Sequence, residues 1–183
     1  MKLLSVLAVF AAVLGVSSAR EQSPEAGCTL SGTYVNTTDL SACSTVVVSS
    51  LSFPAGVTLD LTRLKAGATV TFTGTTTFGT ALWKGPLVLL SGSNLLVTGP
   101  GTLDGQGAWY WAKGTSIARP VFFRLSFVTD STLTNFKLLN SPFRTFSVQD
   151  STNTKLTGLT LDSSAGDAHA KNTDGFDLSR TMA

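Results

Sequence analysis

Residues 133–138 read Leu-Thr-Asn-Phe-Lys-Leu, and residues 156–161 read Leu-Thr-Gly-Leu-Thr-Leu, so one six-residue pattern returns after 23 positions. Each copy lies downstream of a Val-x-Asp-Ser-Thr segment, which starts at Val128 in the first case and at Val148 in the second. A repeat of this length made of short strands is typical of a β-solenoid, in which each coil buries its inward side chains by stacking on its neighbours. Outward side chains of successive coils then lie about 4.8 Å apart and form ladders, which line a trough suited to a linear polymer.

The chain beyond residue 44 consists of short β-branched runs broken by Gly, Asn, Asp and Ser, and this pattern predicts an all-β protein. The predicted strands lie at residues 45–48, 57–61, 69–72, 87–90, 121–128 and 156–161. An antiparallel sandwich is the competing all-β fold, but it predicts hairpin-sized connections rather than a constant offset. A short helix that caps the first coils is predicted around residues 39–43, with Thr37 or Thr38 as its N-cap.

The first nineteen residues have the pattern of a secretory signal peptide, with Lys2, an apolar run over residues 3–16 and a cleavage site after Ala19. The apolar run is too short to span a membrane, and no second stretch of about 20 apolar residues follows it. We therefore expect a secreted, extracellular protein with no membrane attachment. The predicted organisation is a cap segment at residues 20–43 followed by solenoid coils at residues 44–183.

The charge balance argues against nucleic acid as a partner. Removal of the signal peptide takes away Lys2, which lowers the 13 Lys and Arg residues to 12, against 11 Asp and Glu residues. A chain so close to neutral has no overall field that attracts a polyanion.

The two cysteines of the chain, Cys28 and Cys43, lie fifteen positions apart in a sequence with an export signal. This arrangement favours one local disulfide formed in an oxidising compartment, with two buried thiols as the alternative. Asn36 begins an Asn-Thr-Thr sequon, which predicts a glycosylated surface loop if the host glycosylates the chain.

Residues 172–177 read Asn-Thr-Asp-Gly-Phe-Asp, an acidic segment in an otherwise charge-poor sequence. If the segment is a strand, Asn172 and Asp174 share its outer face because the side-chain period is two. Gly175 then allows a switch of parity that turns Phe176 into the core and returns Asp177 to the surface. The alternative is a simple turn, since Asn, Asp and Gly are common turn formers.

An inverting glycosidase needs two opposed carboxyl groups, one that protonates the leaving oxygen and one that activates water. Asp174 and an acid on the next coil could meet this requirement, whereas Asp174 and Asp177 lie on a single coil and are not expected to supply it alone. The sole histidine, His169, has no Cys or His cluster around it in sequence, so neither a metal nor a cofactor is expected. The insertion at residues 105–120 carries Trp109, Tyr110 and Trp111, which either stack on sugar rings or pack the loop against the solenoid.

Five segments stand out along the chain: residues 99–107 (Gly-Pro-Gly-Thr-Leu-Asp-Gly-Gln-Gly), 119–123 (Arg-Pro-Val-Phe-Phe), 140–143 (Asn-Ser-Pro-Phe), 146–148 (Phe-Ser-Val) and 172–177. In this order they resemble the polygalacturonase family of pectin-degrading glycoside hydrolases, and the similarity runs from about Cys28 to Leu178. The resemblance implies the N-terminal portion of a right-handed parallel β-helix. It also implies hydrolysis of α-1,4-galacturonosyl bonds in pectin or homogalacturonan with inversion.

Carried over residue by residue, the resemblance makes Asp174 the water-activating base and gives Asn172 and Asp177 supporting roles. Lys171 and Arg144 are candidates for contacts with galacturonate carboxylates, with solvated surface charge as the alternative role.

The family's Asp-Asp pair, which includes the general acid, its Gly-His-Gly segment and its Arg-x-Lys clamp are expected after Asp177, and residues 178–183 contain none of them. We therefore expect this chain on its own to be weakly active or inactive. The alternatives are a secreted, non-catalytic protein that binds pectin or an inhibitor, and a fragment of a longer polygalacturonase. The expected partners of a monomeric chain are pectin or polygalacturonate and plant polygalacturonase-inhibiting proteins.

Overall fold

The computed structural model of the chain describes residues 28–36 and 38–181, so the predicted signal peptide lies outside the described residues. Nearly all regular structure in this part of the chain is β-strand. The strands are Thr29–Thr33 (β1), Thr45–Phe53 (β2), Leu59–Leu61 (β3), Thr69–Thr73 (β4), Thr75–Phe78 (β5), Val88–Ser93 (β6), Leu96–Thr98 (β7), Thr102–Asp104 (β8), Phe123–Thr129 (β9), Thr132–Thr134 (β10), Lys137–Leu139 (β11), Phe146–Gln149 (β12), Lys155–Thr157 (β13), Thr160–Asp162 (β14) and Phe176–Ser179 (β15). One α-helix, Gly107–Trp111 (α1), and one 3-10 turn, Ser164–Gly166, complete the elements of the described residues.

The strands form three parallel stacks around one core. Sheet B contains β3, β6, β9, β12 and β15, in that spatial order. Sheet A has two arms, with β4, β7, β10 and β13 in the first and β5, β8, β11 and β14 in the second. The long strand β2 joins the arms, since residues 45–49 pair with β4 and residues 52–53 pair with β5. Each coil therefore adds one strand to each stack, and the chain forms the predicted right-handed parallel β-helix.

The sequence repeat corresponds to one coil of this helix. Leu133 pairs with Leu156 in the first arm of sheet A, and Leu138 pairs with Leu161 in the second arm, so both pairs have the offset of 23. Every strand pairing among the described residues is parallel, which excludes the antiparallel sandwich. The solenoid prediction is confirmed.

The interior is filled by columns of identical or similar side chains. In sheet B, Phe123 and Phe146 are in register, fully buried, and have ring centroids 5.5 Å apart. Phe176 of the last strand stacks on Phe146 at 5.5 Å with nearly parallel rings, but 52% of it is exposed because no described strand covers it. Stacking between coils thus buries the apolar face of each strand, as aromatic columns favour.

The tight turns within sheet A stack in the same way. Asn135 and Gly158 follow β10 and β13, and both adopt the left-handed conformation, with φ values of 64° and 61°. A Cβ atom on Gly158 would lie 2.6 Å from Oδ1 of Asn135, so a side chain at this position would have to displace the coil beside it.

The connections between stacks differ in length from one edge of the solenoid to another. From β6 onward, the connections from sheet B to sheet A and between the two arms of sheet A contain two to five residues. By contrast, those from the second arm to sheet B span residues 105–122, 140–145 and 163–175. These three segments define what we call the long-connection edge, and we call residues 163–175 the motif connection because they lead into the acidic motif.

The predicted capping helix at residues 39–43 is wrong. This segment is a turn in which the backbone N–H of Cys43 donates to the carbonyl of Leu40, and the side chain of Asp39 accepts a hydrogen bond from the N–H of Ser41. An Asp that binds the N–H two residues on favours a turn over a continued helix. Thr38 donates to the carbonyl of Val35, and Thr37 lies outside the described residues.

The N-terminal edge is closed by β1, which pairs with β2, and by a disulfide between Cys28 and Cys43. The Cα atoms of the two cysteines are 5.8 Å apart, within the usual range for a disulfide. The predicted pairing is therefore present. Asn36 is exposed, as a glycosylated residue must be, and its modification stays a prediction. No helix among the described residues is long and apolar enough to cross a membrane.

Candidate active site

The acidic motif lies where the motif connection enters sheet B. The strand β15 starts only at Phe176, and Asn172 has a left-handed backbone with φ of 56°, so Asn172 and Asp174 do not share the face of one strand. The backbone nevertheless joins the sheet before the strand begins. The carbonyls of Asp174 and Gly175 accept hydrogen bonds from the N–H groups of Thr145 and Phe146 at 2.8 and 3.0 Å.

The side chains of the motif point in the directions predicted for Phe176 and Asp177. Phe176 stacks on Phe146 inside the solenoid, and Asp177, next to it, points outward. The side chain of Asp174 is exposed to solvent at the start of the strand. This residue is therefore a carboxylate available to a water molecule or a ligand at the rim of sheet B.

Asp177 is held by Arg144, one of the two predicted substrate contacts. Nη1 of Arg144 donates to Oδ2 of Asp177 at 2.7 Å, and both side chains are about two-fifths exposed. The guanidinium of Arg144 also lies 5.0 Å from the ring centroid of Phe143. Arg144 thus orients a motif carboxylate, which makes it less available to a ligand than an unpaired arginine.

Lys171, the other predicted substrate contact, is exposed and lies directly before the motif. Its backbone carbonyl accepts a hydrogen bond of 2.8 Å from Nη1 of Arg119. Arg119 is only 8% exposed, and burial lowers the pKa of its guanidinium. No sequence pattern singles out this contact, because the two residues are 52 positions apart.

The outer face of sheet B carries a second arginine that the sequence reasoning missed. Arg124, Ser147 and Asp177 are in register on β9, β12 and β15 and form an outer column. Successive strands are about 4.8 Å apart, so Arg124 lies roughly 10 Å from Asp177 along the stack. The two ion pairs among the described residues involve other arginines, which leaves Arg124 without a carboxylate partner there. The alternation of side chains along β9 could have identified Arg124, because it directly follows the buried Phe123 and therefore points outward.

The aromatic residues of the insertion mainly anchor the loop. Tyr110 is fully buried, and Trp111 is 6% exposed and donates through Nε1 to the carbonyl of Ser141 at 3.0 Å. Burial raises the pKa of Tyr110. Trp109 is partly exposed and lies under the ammonium group of Lys113 at 4.0 Å from the ring centroid. Loop packing is therefore the role of Tyr110 and Trp111, and Trp109 alone presents a ring at the surface.

A cavity of about 500 Å³ lies away from the motif, near the N-terminal cap. It is lined by Tyr34, Asp60 and Arg63 among others, and burial raises the pKa of Tyr34. No group of three His, Cys, Asp or Glu side chains with metal-binding geometry occurs among the described residues. The expectation that the protein uses no metal or cofactor stays a prediction.

The outer column of sheet B is polar, although Ser147 in its middle is only 2% exposed, and the exposed Asp174 lies at the edge of this face. An exposed carboxylate in such a position has the chemistry of a general base toward water. Asp177 lies on the same coil as Asp174 and is engaged by Arg144, so the two carboxylates have different surroundings.

Two curated relatives share substantial sequence with the chain. An endo-polygalacturonase of Sclerotinia sclerotiorum is 47% identical over 143 residues, which cover 75% of this chain and 38% of that protein. A polygalacturonase of Cochliobolus carbonum is 42% identical over 182 residues, covering 96% of this chain and 49% of that protein. The chain thus spans half or less of the length of these two relatives.

A solved structure has the same architecture. Endopolygalacturonase I from Stereum purpureum, in complex with two galacturonate molecules, superposes with a TM-score of 0.66 and 35% sequence identity, over 77% of this chain and 45% of that one. The sequence model of glycosyl hydrolases family 28 matches residues 43–183, which is most of the chain. Because the family model covers more than half of the chain, the chain belongs to family 28 of the glycosyl hydrolases.

Proposed function

We propose that the chain acts on homogalacturonan as a polygalacturonase does, by hydrolysis of α-1,4-galacturonosyl bonds with inversion. The observation that carries the proposal is the exposed Asp174 at the rim of a polar sheet face, within the motif that resembles the polygalacturonase catalytic segment. The names of the relatives, polygalacturonase and endo-polygalacturonase, support the same substrate class.

In the proposed reaction, Asp174 takes a proton from water, and the water oxygen attacks the anomeric carbon from the face opposite the leaving group. A second carboxylic acid protonates the leaving glycosidic oxygen, so one C–O bond forms as the other breaks. In inverting enzymes the two carboxyl groups are about 6.5–9.5 Å apart, which leaves room for the water.

Asn172 and Asp177 support Asp174 in this proposal, and their environments differ. Asn172 turns the chain through its left-handed backbone, whereas Asp177 forms the ion pair with Arg144. Lys171 and Arg124 are the cations that a polyuronate would meet at the rim and on the floor of the trough, and a carboxylate binds well to an arginine fork. Arg144 would contact substrate only at the edge of its pair with Asp177.

The setting we propose is extracellular. The disulfide between Cys28 and Cys43 and the predicted signal peptide both support export, because disulfides persist in oxidising compartments. A monomer bound to pectin, and to plant polygalacturonase-inhibiting proteins, is the corresponding proposal for partners.

The test combines binding and turnover with the purified full chain. Oligogalacturonate titrated into labelled protein is expected to shift the NMR signals of β9, β12 and β15 and of residues 172–177. Any release of reducing ends from polygalacturonate is expected to be lost in Asp174→Asn, while binding is retained. Asp167→Asn, which removes an exposed carboxylate elsewhere on the motif connection, is the matched control.

Two results would contradict the proposal. One is an absence of binding to polygalacturonate beyond that to a neutral galactan. The other is turnover that Asp174→Asn and Asp167→Asn leave equally unchanged. Binding without measurable turnover would instead favour the non-catalytic pectin-binding role.

A further inference from the structure

We propose that Arg119 is a positioning residue for the acidic motif, because it ties the backbone directly before Asn172 to the two coils that precede it. This inference rests on the proposed role of Asp174. Arg119 lies in the insertion between β8 and β9, far from the motif in sequence, and contacts the motif connection only through the fold.

The contact bridges three successive coils. Nη1 of Arg119 donates to the carbonyl of Lys171 at 2.8 Å and to the carbonyl of Pro142 at 3.3 Å. The guanidinium also lies 4.9 Å from the ring centroid of Phe143. Three consecutive segments of the long-connection edge, at residues 105–122, 140–145 and 163–175, thus meet at one side chain.

This bridge fixes the backbone that directly precedes the motif. Among the described residues, the backbone of residues 167–173 is hydrogen-bonded to another coil only at the carbonyl of Lys171, which accepts from Arg119. The other N–H and carbonyl contacts of this stretch are local, such as those of His169 and Ala170 to the carbonyl of Gly166. After this stretch the backbone rejoins sheet B, where the carbonyl of Asp174 accepts a hydrogen bond from the N–H of Thr145.

The start of the motif connection has a separate support from the same insertion. A Cβ atom on Gly166 would lie 2.6 Å from the ring of Trp111, so glycine allows the 3-10 turn to sit directly on the indole. Trp111 therefore holds the start of the connection and Arg119 holds its later part, three residues before Asp174. Loss of Arg119 alone should leave the first support in place.

A buried arginine is costly unless its hydrogen bonds are used. Arg119 is 8% exposed and pairs with no carboxylate among the described residues, so its charge is compensated mainly by carbonyl dipoles and the Phe143 ring. Both hydrogen bonds come from the single Nη1 atom of Arg119, while the planar guanidinium lies over the Phe143 ring. Arginine combines such a donor with a flat face that stacks on a ring, which lysine does not.

The experiment compares Arg119→Met, Arg119→Lys and the control Arg63→Met in the full chain. The Met variant keeps the length of the side chain and removes the donors, and Lys restores charge and one set of donors. Arg63 is exposed at the N-terminal cap, so Arg63→Met makes the same chemical change away from the motif. Amide hydrogen exchange is followed along the chain, together with kcat and KM on polygalacturonate.

We expect amides of residues 167–175 in Arg119→Met to exchange at least about tenfold faster, because local opening is easier once this bridge is lost. Amides of β9 and β12 should change no more than in Arg63→Met. We expect kcat to fall on the order of 10- to 100-fold at nearly unchanged KM, since small displacements of a reacting group cost rate rather than binding. Arg119→Lys should recover part of both effects.

Three results would overturn the proposal. Exchange of residues 167–175 that matches the Arg63→Met control would show that the bridge does not hold the connection. Faster exchange everywhere would reduce Arg119 to a contributor to global stability. Faster local exchange with unchanged kcat in an active chain would deny any effect on Asp174. If the wild-type chain neither binds nor cleaves polygalacturonate, the proposed function itself fails and the positioning role falls with it.

Discussion

The two faces of sheet B use the same strands for opposite purposes. The inner column of Phe123, Phe146 and Phe176 is apolar and stacked ring on ring, whereas the outer column of Arg124, Ser147 and Asp177 is polar and varied. Each outer residue follows an inner one directly in sequence. The register that packs the rings therefore also sets the spacing of the outer side chains, and packing constrains the inner column much more strongly.

This difference separates stability from function along a single strand. A substitution on the inner face should lower the free energy of unfolding, whereas one at the partly exposed outer positions, Arg124 and Asp177, should alter contacts with a ligand at little cost in stability. The following four predictions test that separation.

The largest effect is expected for Phe146→Ala. This ring is fully buried between Phe123 and Phe176, and its loss leaves a cavity between coils. We expect the free energy of unfolding to fall by about 3–5 kcal/mol, measured by chemical denaturation. Gln149→Ala, a partly exposed position on the same strand, should change it by less than about 0.5 kcal/mol. Equal effects of the two substitutions would contradict the assignment of the faces.

A smaller effect is expected for Phe176→Ala. The ring belongs to the same inner column, but 52% of it is exposed, so its removal uncovers less apolar surface. We expect a loss of about 1–2 kcal/mol in the same denaturation experiment. A loss as large as that for Phe146→Ala would mean that stacking between rings, rather than burial, dominates the column.

On the outer face, Arg124→Met should weaken the binding of oligogalacturonate without a large change in stability. A charge-assisted hydrogen bond contributes about 1.5 kcal/mol at the low end of its range, which corresponds to roughly a tenfold loss of affinity. Titration calorimetry provides the measurement, with Lys155→Met on β13 of sheet A as the control for lost charge. Equal losses in the two variants would show that net charge, not the outer column of sheet B, determines affinity.

The smallest effect on stability is expected for the ion pair of Arg144 and Asp177. Both side chains are about two-fifths exposed, so water screens their attraction. A double-mutant cycle with Arg144→Met and Asp177→Asn should give a coupling of about 0.2–1 kcal/mol, decreasing as salt is added. A coupling of several kcal/mol would mean that this ion pair stabilises the fold as strongly as a ring of the inner column does.

Most of the fold could be predicted from the sequence, because the coil repeat is a local pattern. The offset between Leu133 and Leu156 is the register seen in sheet A. The errors have one local and one tertiary cause. Residues 39–43 form a turn instead of a helix because Asp39 binds the N–H of Ser41, whereas α1 forms where Tyr110 and Trp111 are buried, without any helical period in the sequence.

The sequence located the candidate site but did not predict the contacts that hold its residues in place. The sequence identified Asp174 and the outward direction of Asp177, yet it left open whether Asn172 lies in a strand or in a turn, and its left-handed backbone excludes the strand. The partner of Asp177 lies 33 positions away, and the contact between Arg119 and Lys171 spans 52 positions. Such contacts depend on which connections meet at one edge of the solenoid, and local periodicity holds no information about that.

The unequal lengths of the connections give this fold a preferred place for change. Residues 105–122, 140–145 and 163–175 span 18, 6 and 13 positions, yet each delivers the chain to the same register in sheet B. Residues can therefore be inserted or deleted at this edge without altering the coils, because loop closure costs little for each added residue. The coils can therefore stay constant while the connections on this edge change, either in evolution or by design. The connection that presents Asp174 is one of them.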